Sequence, residues 1–161
     1  MSPRFAPVLL LAGVLASAAV LGGCGRPALP ELTPDLLAAA RDRWARAGVA
    51  SYDLDLTVEG TQLERAAIHL EVRADSVRRA ERDGIAMTGD TSAYAVPGLF
   101  RTLEQELAIK AKPAEAGAPA GYQVYVQATF DPERGYPLHY RRIVGGSNTR
   151  VEMEVVRFTP Q

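Results

Sequence analysis

Cysteine occurs once in 161 residues, at Cys24. A lone thiol closes no intrachain disulfide and builds no Cys-x2-Cys zinc site, so the fold must stand without either staple. Lysine is confined to Lys110 and Lys112, and histidine to His69 and His139. The formal net charge is −1, which leaves no strong positive field to hold nucleic acid. Two motifs are also missing. There is no G-x-S-x-G nucleophile elbow. There is no G-x-x-x-x-G-K-[ST] phosphate loop either, so Gly145-Gly146 reads as a turn.

The first residues have the three parts of a secretory signal peptide. Met1 to Arg4 carries one positive charge, and Phe5 to Leu21 is apolar. That run is slightly short for a spanning helix, which needs ~20 apolar residues. Leu21-Gly22-Gly23-Cys24 closes it and resembles a bacterial lipobox. The chemistry asks for that pattern, because the thiol must meet a lipid donor at the membrane surface. The preceding peptide bond must then enter a narrow protease site that admits only small residues. The expectation is a signal peptide over residues 1–23 and acyl chains, of the palmitate kind, on Cys24. Two or three chains give stable anchoring, each buried CH2 contributing ~0.8 kcal/mol. Cleavage after Ala16-Ser17-Ala18, or an uncleaved anchor, are the alternatives. Gly25 follows the cysteine where an aspartate would favour inner-membrane retention. This points to an outer membrane facing the periplasm, ahead of the inner membrane.

Past residue 23 the chain has 138 residues, which suits one domain. Residues 24–33, with Pro27 and Pro30, read as a tether, and 34–161 as a single α+β body. "TPDLLAAARDRWARAG" reads as a helix: Thr33 caps it, Pro34 takes the first position and Gly48 ends it. "SYDLDLTVE" and "RAAIHLEVR" alternate as half-buried strands, and "SVRRAER" as a charged edge strand. Asp83 to Ala93 reads as a loop. "VPGLFRTLEQELAIK" is a second helix with Val96, Leu99, Phe100, Leu103 and Leu107 as its apolar stripe. Ala111 to Gly121 is a low-complexity loop. "YQVYVQATF", "YPLHYRRIV" and "TRVEMEVVRF" alternate again. The order α-βββ-α-βββ predicts a six-stranded antiparallel sheet with two helices packed on one face.

Pairing Phe130 with Tyr136 sets Val126 opposite Tyr140 and Ala128 opposite Leu138. Pairing Val144 with Thr149 sets Tyr140 opposite Met153 and Leu138 opposite Val155. Both registers keep one face apolar. They align Tyr125, Arg141 and Glu152 as one outward row, a candidate binding row, and Gln127, His139 and Glu154 as the next. His139 beside Glu154 is the candidate for general acid–base chemistry, set against an ordinary exposed cross-strand pair. His69 with His139 and Glu71 would be needed for a metal, and nothing in their spacing makes them meet. Asp53, Asp55 and Glu59 form an acidic stripe, read as a solvated face against a cation site. Of Tyr52, Tyr94, Tyr122, Tyr125, Tyr136 and Tyr140, Tyr125 is expected to point outward and the others to be plain core residues, set against the alternative that they line a pocket where the sheet curls around the helices.

Trp44-x3-Gly48-x3-Tyr52, Leu99-Phe100 and Phe130-Asp131-Pro132-x2-Gly135-Tyr136-Pro137 together resemble a domain-of-unknown-function family of exported bacterial proteins, many of them lipoproteins. The resemblance spans about Arg41 to Phe158. It departs at "LTVEG", which lacks that family's cysteine pair, and at "GGSN", which replaces an acidic run. The family implies no activity and no cofactor. Three functions stay open. The first is a non-catalytic binding or scaffold module for an envelope protein, glycan or lipid. The second is a periplasmic hydrolase using His139 and Glu154. The third is an inhibitor of an envelope enzyme that presents Ala111 to Gly121.

Overall fold

The computed structural model describes residues 29–161, so Cys24 and the expected signal segment lie outside the described residues. The described chain is α+β, with two helices and one open antiparallel sheet. Helix α1 is Pro34–Ala47, followed by β1 (Tyr52–Gly60), β2 (Leu63–Arg73), β3 (Ser76–Arg82) and β4 (Ile85–Ala86). Helix α2 is Val96–Lys110, followed by β5 (Val124–Phe130), β6 (Pro137–Val144) and β7 (Arg150–Pro160). The sheet has seven strands, in the order β4-β3-β2-β1-β7-β6-β5, and not the six expected. The extra strand, β4, pairs only Ile85 and Ala86 with Arg82 and Glu81. Two residues are too few to show alternation, so the sequence signal there was that of a loop.

The two long central strands, β1 and β7, join the two meanders into one sheet. Inward residues of β1 (Tyr52, Leu54, Leu56), β2 (Ile68, Leu70, Val72) and β5 (Val124, Val126, Ala128) share one core with Leu37 and Ala40 of α1. Val96, Leu99, Phe100 and Leu103 of α2 complete it. The opposite face carries the polar alternates of the same strands, the pattern of an antiparallel sheet packed on one side.

Thr33 Oγ1 accepts from the Leu36 N–H at 3.2 Å and so caps α1. Helix α2 has alanine at its N-cap and no side-chain cap of its own. The Val96 N–H donates instead to Tyr52 Oη at 2.9 Å, inside the core. Trp44 stands edge-on to Tyr52, Tyr136 and Phe158, with ring centroids 5.7, 6.4 and 5.9 Å away. Such pairs contribute about 0.5–1.5 kcal/mol each beyond burial. Phe100 and Phe130 stack at 6.3 Å. Gly135, at φ +83°, sits so close to α1 that a Cβ there would lie 2.2 Å from the Ala40 carbonyl oxygen. The three motif segments thus meet where α1, the β5–β6 turn and the start of β1 pack together.

The β6–β7 register is the expected one, with Tyr140 opposite Met153. The β5–β6 register is displaced by two residues: Ala128 faces Tyr140 and Val126 faces Arg142. A bulge between Thr129 and Phe130 takes up one of the two residues and sets Phe130 opposite Pro137. An even displacement leaves every side chain on its expected face. Ahead of α1, the Leu32 N–H donates to the Val126 carbonyl at 2.8 Å and the Ala128 N–H to the Pro30 carbonyl at 3.1 Å. Leu32 is fully buried, so this part of the expected tether runs along the edge of β5.

Candidate binding site

The outward sheet face holds most of the residues that the sequence singles out. His139 lies opposite Glu154 in the ladder, but its Nε2 contacts Glu152 Oε1, at 2.6 Å. Arg141 donates from Nη2 and Nε to Gln127 Oε1, at 2.7 and 3.2 Å. The two-residue displacement of β5 is the cause: Gln127 now faces Arg141, and Tyr125 faces Ile143. The expected row Tyr125–Arg141–Glu152 is therefore Gln127–Arg141–Glu152. The row expected as Gln127–His139–Glu154 is Thr129–His139–Glu154. Tyr125 stands 56 % exposed.

The acidic stripe is matched by arginines. Arg73 Nη2 lies 2.8 Å from Asp53, Arg157 Nε 2.6 Å from Asp55, and Arg150 Nη2 2.9 Å from Glu59. His69 Nδ1 lies 2.5 Å from the other oxygen of Asp55. Burial raises the Asp55 pKa, but the hydrogen bonds from His69 and Arg157 outweigh it and hold the carboxyl below its usual range. His69 is on β2 and His139 on β6, with β1 and β7 between them. Among the described residues no group of three or more His, Cys, Asp and Glu is arranged to hold a metal ion. Exposed pairs of this kind contribute ~0–1 kcal/mol each, so the face is a solvated lattice of cross-strand ion pairs. One polar hollow of about 210 Å³ opens on it, between Thr57, Glu59, Arg65, Glu152 and Glu154.

The inward face offers a different kind of space. Toward the β1–β2 and β6–β7 turns, α2 does not fully cover the sheet. A cavity of about 220 Å³ remains, walled by Val58, Leu63, Leu99, Leu103, Val151 and Met153. Ala93, Tyr94, Thr102 and Tyr140 complete its lining. Leu63, 38 % exposed, and Ala93 stand at the mouth, while Leu103 and Met153 are buried. Local geometry holds this mouth in place. A short 3-10 turn, Ser92–Tyr94, abuts Gly98 in the first turn of α2. A Cβ on Gly98 would lie 2.1 Å from the Ser92 carbonyl oxygen, so only glycine admits the approach that sets Tyr94 at the rim. A wider depression of about 420 Å³ between α1 and α2 is bordered by Arg41 and Glu104, which form an ion pair.

Beside Tyr140, and outside the cavity lining, lies an ion pair that the sequence expectations did not include. Arg142 Nη1 lies 3.1 Å from both oxygens of Glu106, whose side chain is 9 % exposed. Tyr140 is 3 % exposed. Burial, then the nearby Glu106 carboxylate, push its pKa upward, so the phenol keeps its proton at any physiological pH. The signal was available: Arg142 holds an inward position between Tyr140 and Val144, and Glu106 sits three residues after Leu103 on the apolar stripe. Of the six tyrosines, Tyr52 and Tyr136 belong to the core, Tyr94 and Tyr140 line the cavity, and Tyr122 and Tyr125 are exposed. Between α2 and β5 the expected loop includes a 3-10 turn at Pro113–Ala116. No helix among the described residues is long and apolar enough to cross a membrane. No protein-family model matches the chain, and no curated protein matches it.

Proposed function

We propose that this chain is a lipid-anchored protein of the bacterial envelope whose body binds an apolar group rather than transforming a substrate. The observation that carries the binding part is the cavity under α2, apolar on most of its walls and open between Leu63 and Tyr94. Ligand sites are concave and mainly apolar, with few polar groups. The anchoring part is supported by Leu21-Gly22-Gly23-Cys24 and the apolar run before it. The resemblance to exported lipoproteins points the same way. Placement at the outer membrane, facing the periplasm, follows from Gly25 after the cysteine.

Two experiments test the two parts separately. Expressed in a bacterial host, the full chain should partition into detergent and carry a diacylglyceryl mass on Cys24, and Cys24→Ser should release it to the aqueous phase. An unmodified Cys24 on a freely soluble product refutes the anchoring. Saturating propylbenzene should raise the Tm of the purified body, because a ligand bound only by the folded state stabilises it. An unchanged Tm refutes the cavity as a binding site.

A further inference from the structure

The expected tether, residues 24–33, is fixed to the body over its second half. Besides the backbone bonds of Pro30 and Leu32 to β5, Gln127 Nε2 donates to the Leu29 carbonyl at 2.9 Å, and Glu31 pairs with Lys110. Cys24 lies only five residues before Leu29, a length that reaches at most about 18 Å when fully extended. An acylated Cys24 therefore holds the body against the bilayer. Glu31 pairs with Gln127 in the antiparallel sense, so toward Leu29 the chain heads for the β5–β6 turn. That turn adjoins the end of α1: a Cβ on Gly135 would lie 2.8 Å from the Arg43 Cβ and 3.0 Å from the Trp44 N. The surface at this end is apolar. Ala45, Ala47, Gly48 and Ala50 are exposed and Val49 is half-buried. Trp44, Ala45, Gly48, Val49, Ala50 and Asp75 line a shallow depression of about 240 Å³ there. Arg43 and the exposed Arg46 flank it.

We infer that the end of the body formed by residues 43–50 and the β5–β6 turn is a docking surface for the bilayer that holds the anchor. This rests on the proposal that Cys24 is acylated. The short reach of the chain and the place where it meets β5 bring this end to the lipid. Its chemistry fits the headgroup level, where tryptophan is enriched, where apolar area is buried and where basic side chains meet anionic lipid. The outward sheet face fits that level less well, because its cross-strand ion pairs would lose their hydration. The docking also aims the cavity. Tyr52 begins β1 beside Trp44. Val58, in the cavity wall, lies six residues further on, about 20 Å along the strand. The mouth between Leu63 and Tyr94 therefore opens away from the lipid surface.

Paramagnetic broadening tests this. The full chain, processed in a bacterial host and purified in detergent, is placed in nanodiscs of phosphatidylethanolamine and phosphatidylglycerol that carry a gadolinium-chelate lipid. Mass spectrometry of the same sample reads the lipid on Cys24. Compared with discs free of gadolinium, the amide signals of residues 43–50 should lose most of their intensity. Those of Leu63, Tyr94 and Val151, at the cavity, should keep theirs. Arg46→Glu combined with Ala50→Glu, both at exposed positions, should move the loss away from this segment. If Cys24 is acylated and the losses are uniform or centred on the cavity mouth, the docking surface is wrong while the anchoring stands. If the double variant keeps the wild-type pattern, the tether alone orients the body and the docking surface is refuted. An unmodified Cys24 refutes the anchoring and takes the inference with it.

Discussion

The hydroxyl of Tyr52, the first residue of β1, accepts the Val96 N–H that opens α2, 2.9 Å away. A phenol from the sheet thus does the work of an N-cap for a helix whose own N-cap is alanine. Tyr52→Phe keeps the ring in its aromatic cluster and orphans a buried N–H. It should cost about 1–3 kcal/mol in urea unfolding, against a few tenths for the exposed Tyr125→Phe.

The same residue sets an alkaline limit. Burial is the main cause that pushes the Tyr52 pKa up to about 12, from 10 in the unfolded chain. Between those values the unfolded state has released a proton that the folded state retains. Stability is therefore complete below pH 10 and falls as pH rises toward 12. Tyr140 shifts in the same direction and adds to the fall. Denaturation curves from pH 8 to 11 should show it, with a shallower decline in Tyr52→Phe.

On the acid side the sign is opposite. The Asp55 carboxyl is held low by His69 and Arg157, so its contribution is present above about pH 4 and is lost as pH falls through the folded pKa. Asp55→Asn should destabilise the protein at pH 6 and matter much less at pH 3. Equal effects at both values would contradict the ion-pair account.

The buried pair Glu106–Arg142 predicts a non-additive result. Glu106→Leu alone strands a guanidinium against α2 and should cost about 3–5 kcal/mol. Glu106→Leu with Arg142→Met removes both charges and should recover most of that loss. A double-mutant cycle by chemical denaturation measures it.

Gly135→Ala should be among the most damaging single substitutions. The residue has a positive φ, and the added carbon meets the backbone of α1. A loss of about 2–4 kcal/mol is expected from the left-handed backbone and the overlap together. Gly117→Ala, also at positive φ but with open space around it, should cost only the backbone part.

Much of this architecture was legible in alternation and punctuation. Tyr52-Leu54-Leu56 and Ile68-Leu70-Val72 announced β1 and β2, and Val96 to Lys110 announced α2. Ile85–Ala86 did not, because pairing along a strand edge needs no pattern of its own. The displacement of β5 did not either, since a shift of two residues preserves the in-and-out pattern that the register rests on. That displacement moved the candidate rows: it gave Arg141 to Gln127 and separated Tyr125 from Arg141 and Glu152. The cavity was hidden for another reason. Leu99 and Leu103 look the same on a helical stripe whether the stripe is covered or left open. The chain path through Ser92–Tyr94 decides which, and that path depends on how closely Gly98 lets two backbones approach.

The most direct measurement follows the methyl resonance of Met153 during a propylbenzene titration. Met153 lines the cavity, and Met87 lies outside its lining and serves as the internal reference. The Met153 signal should shift saturably while Met87 stays in place, and Val151→Trp, which fills the space from its rim, should abolish the shift. A Met153 signal that does not move, or moves equally in Val151→Trp, would contradict the assignment of this body as a binder of apolar groups.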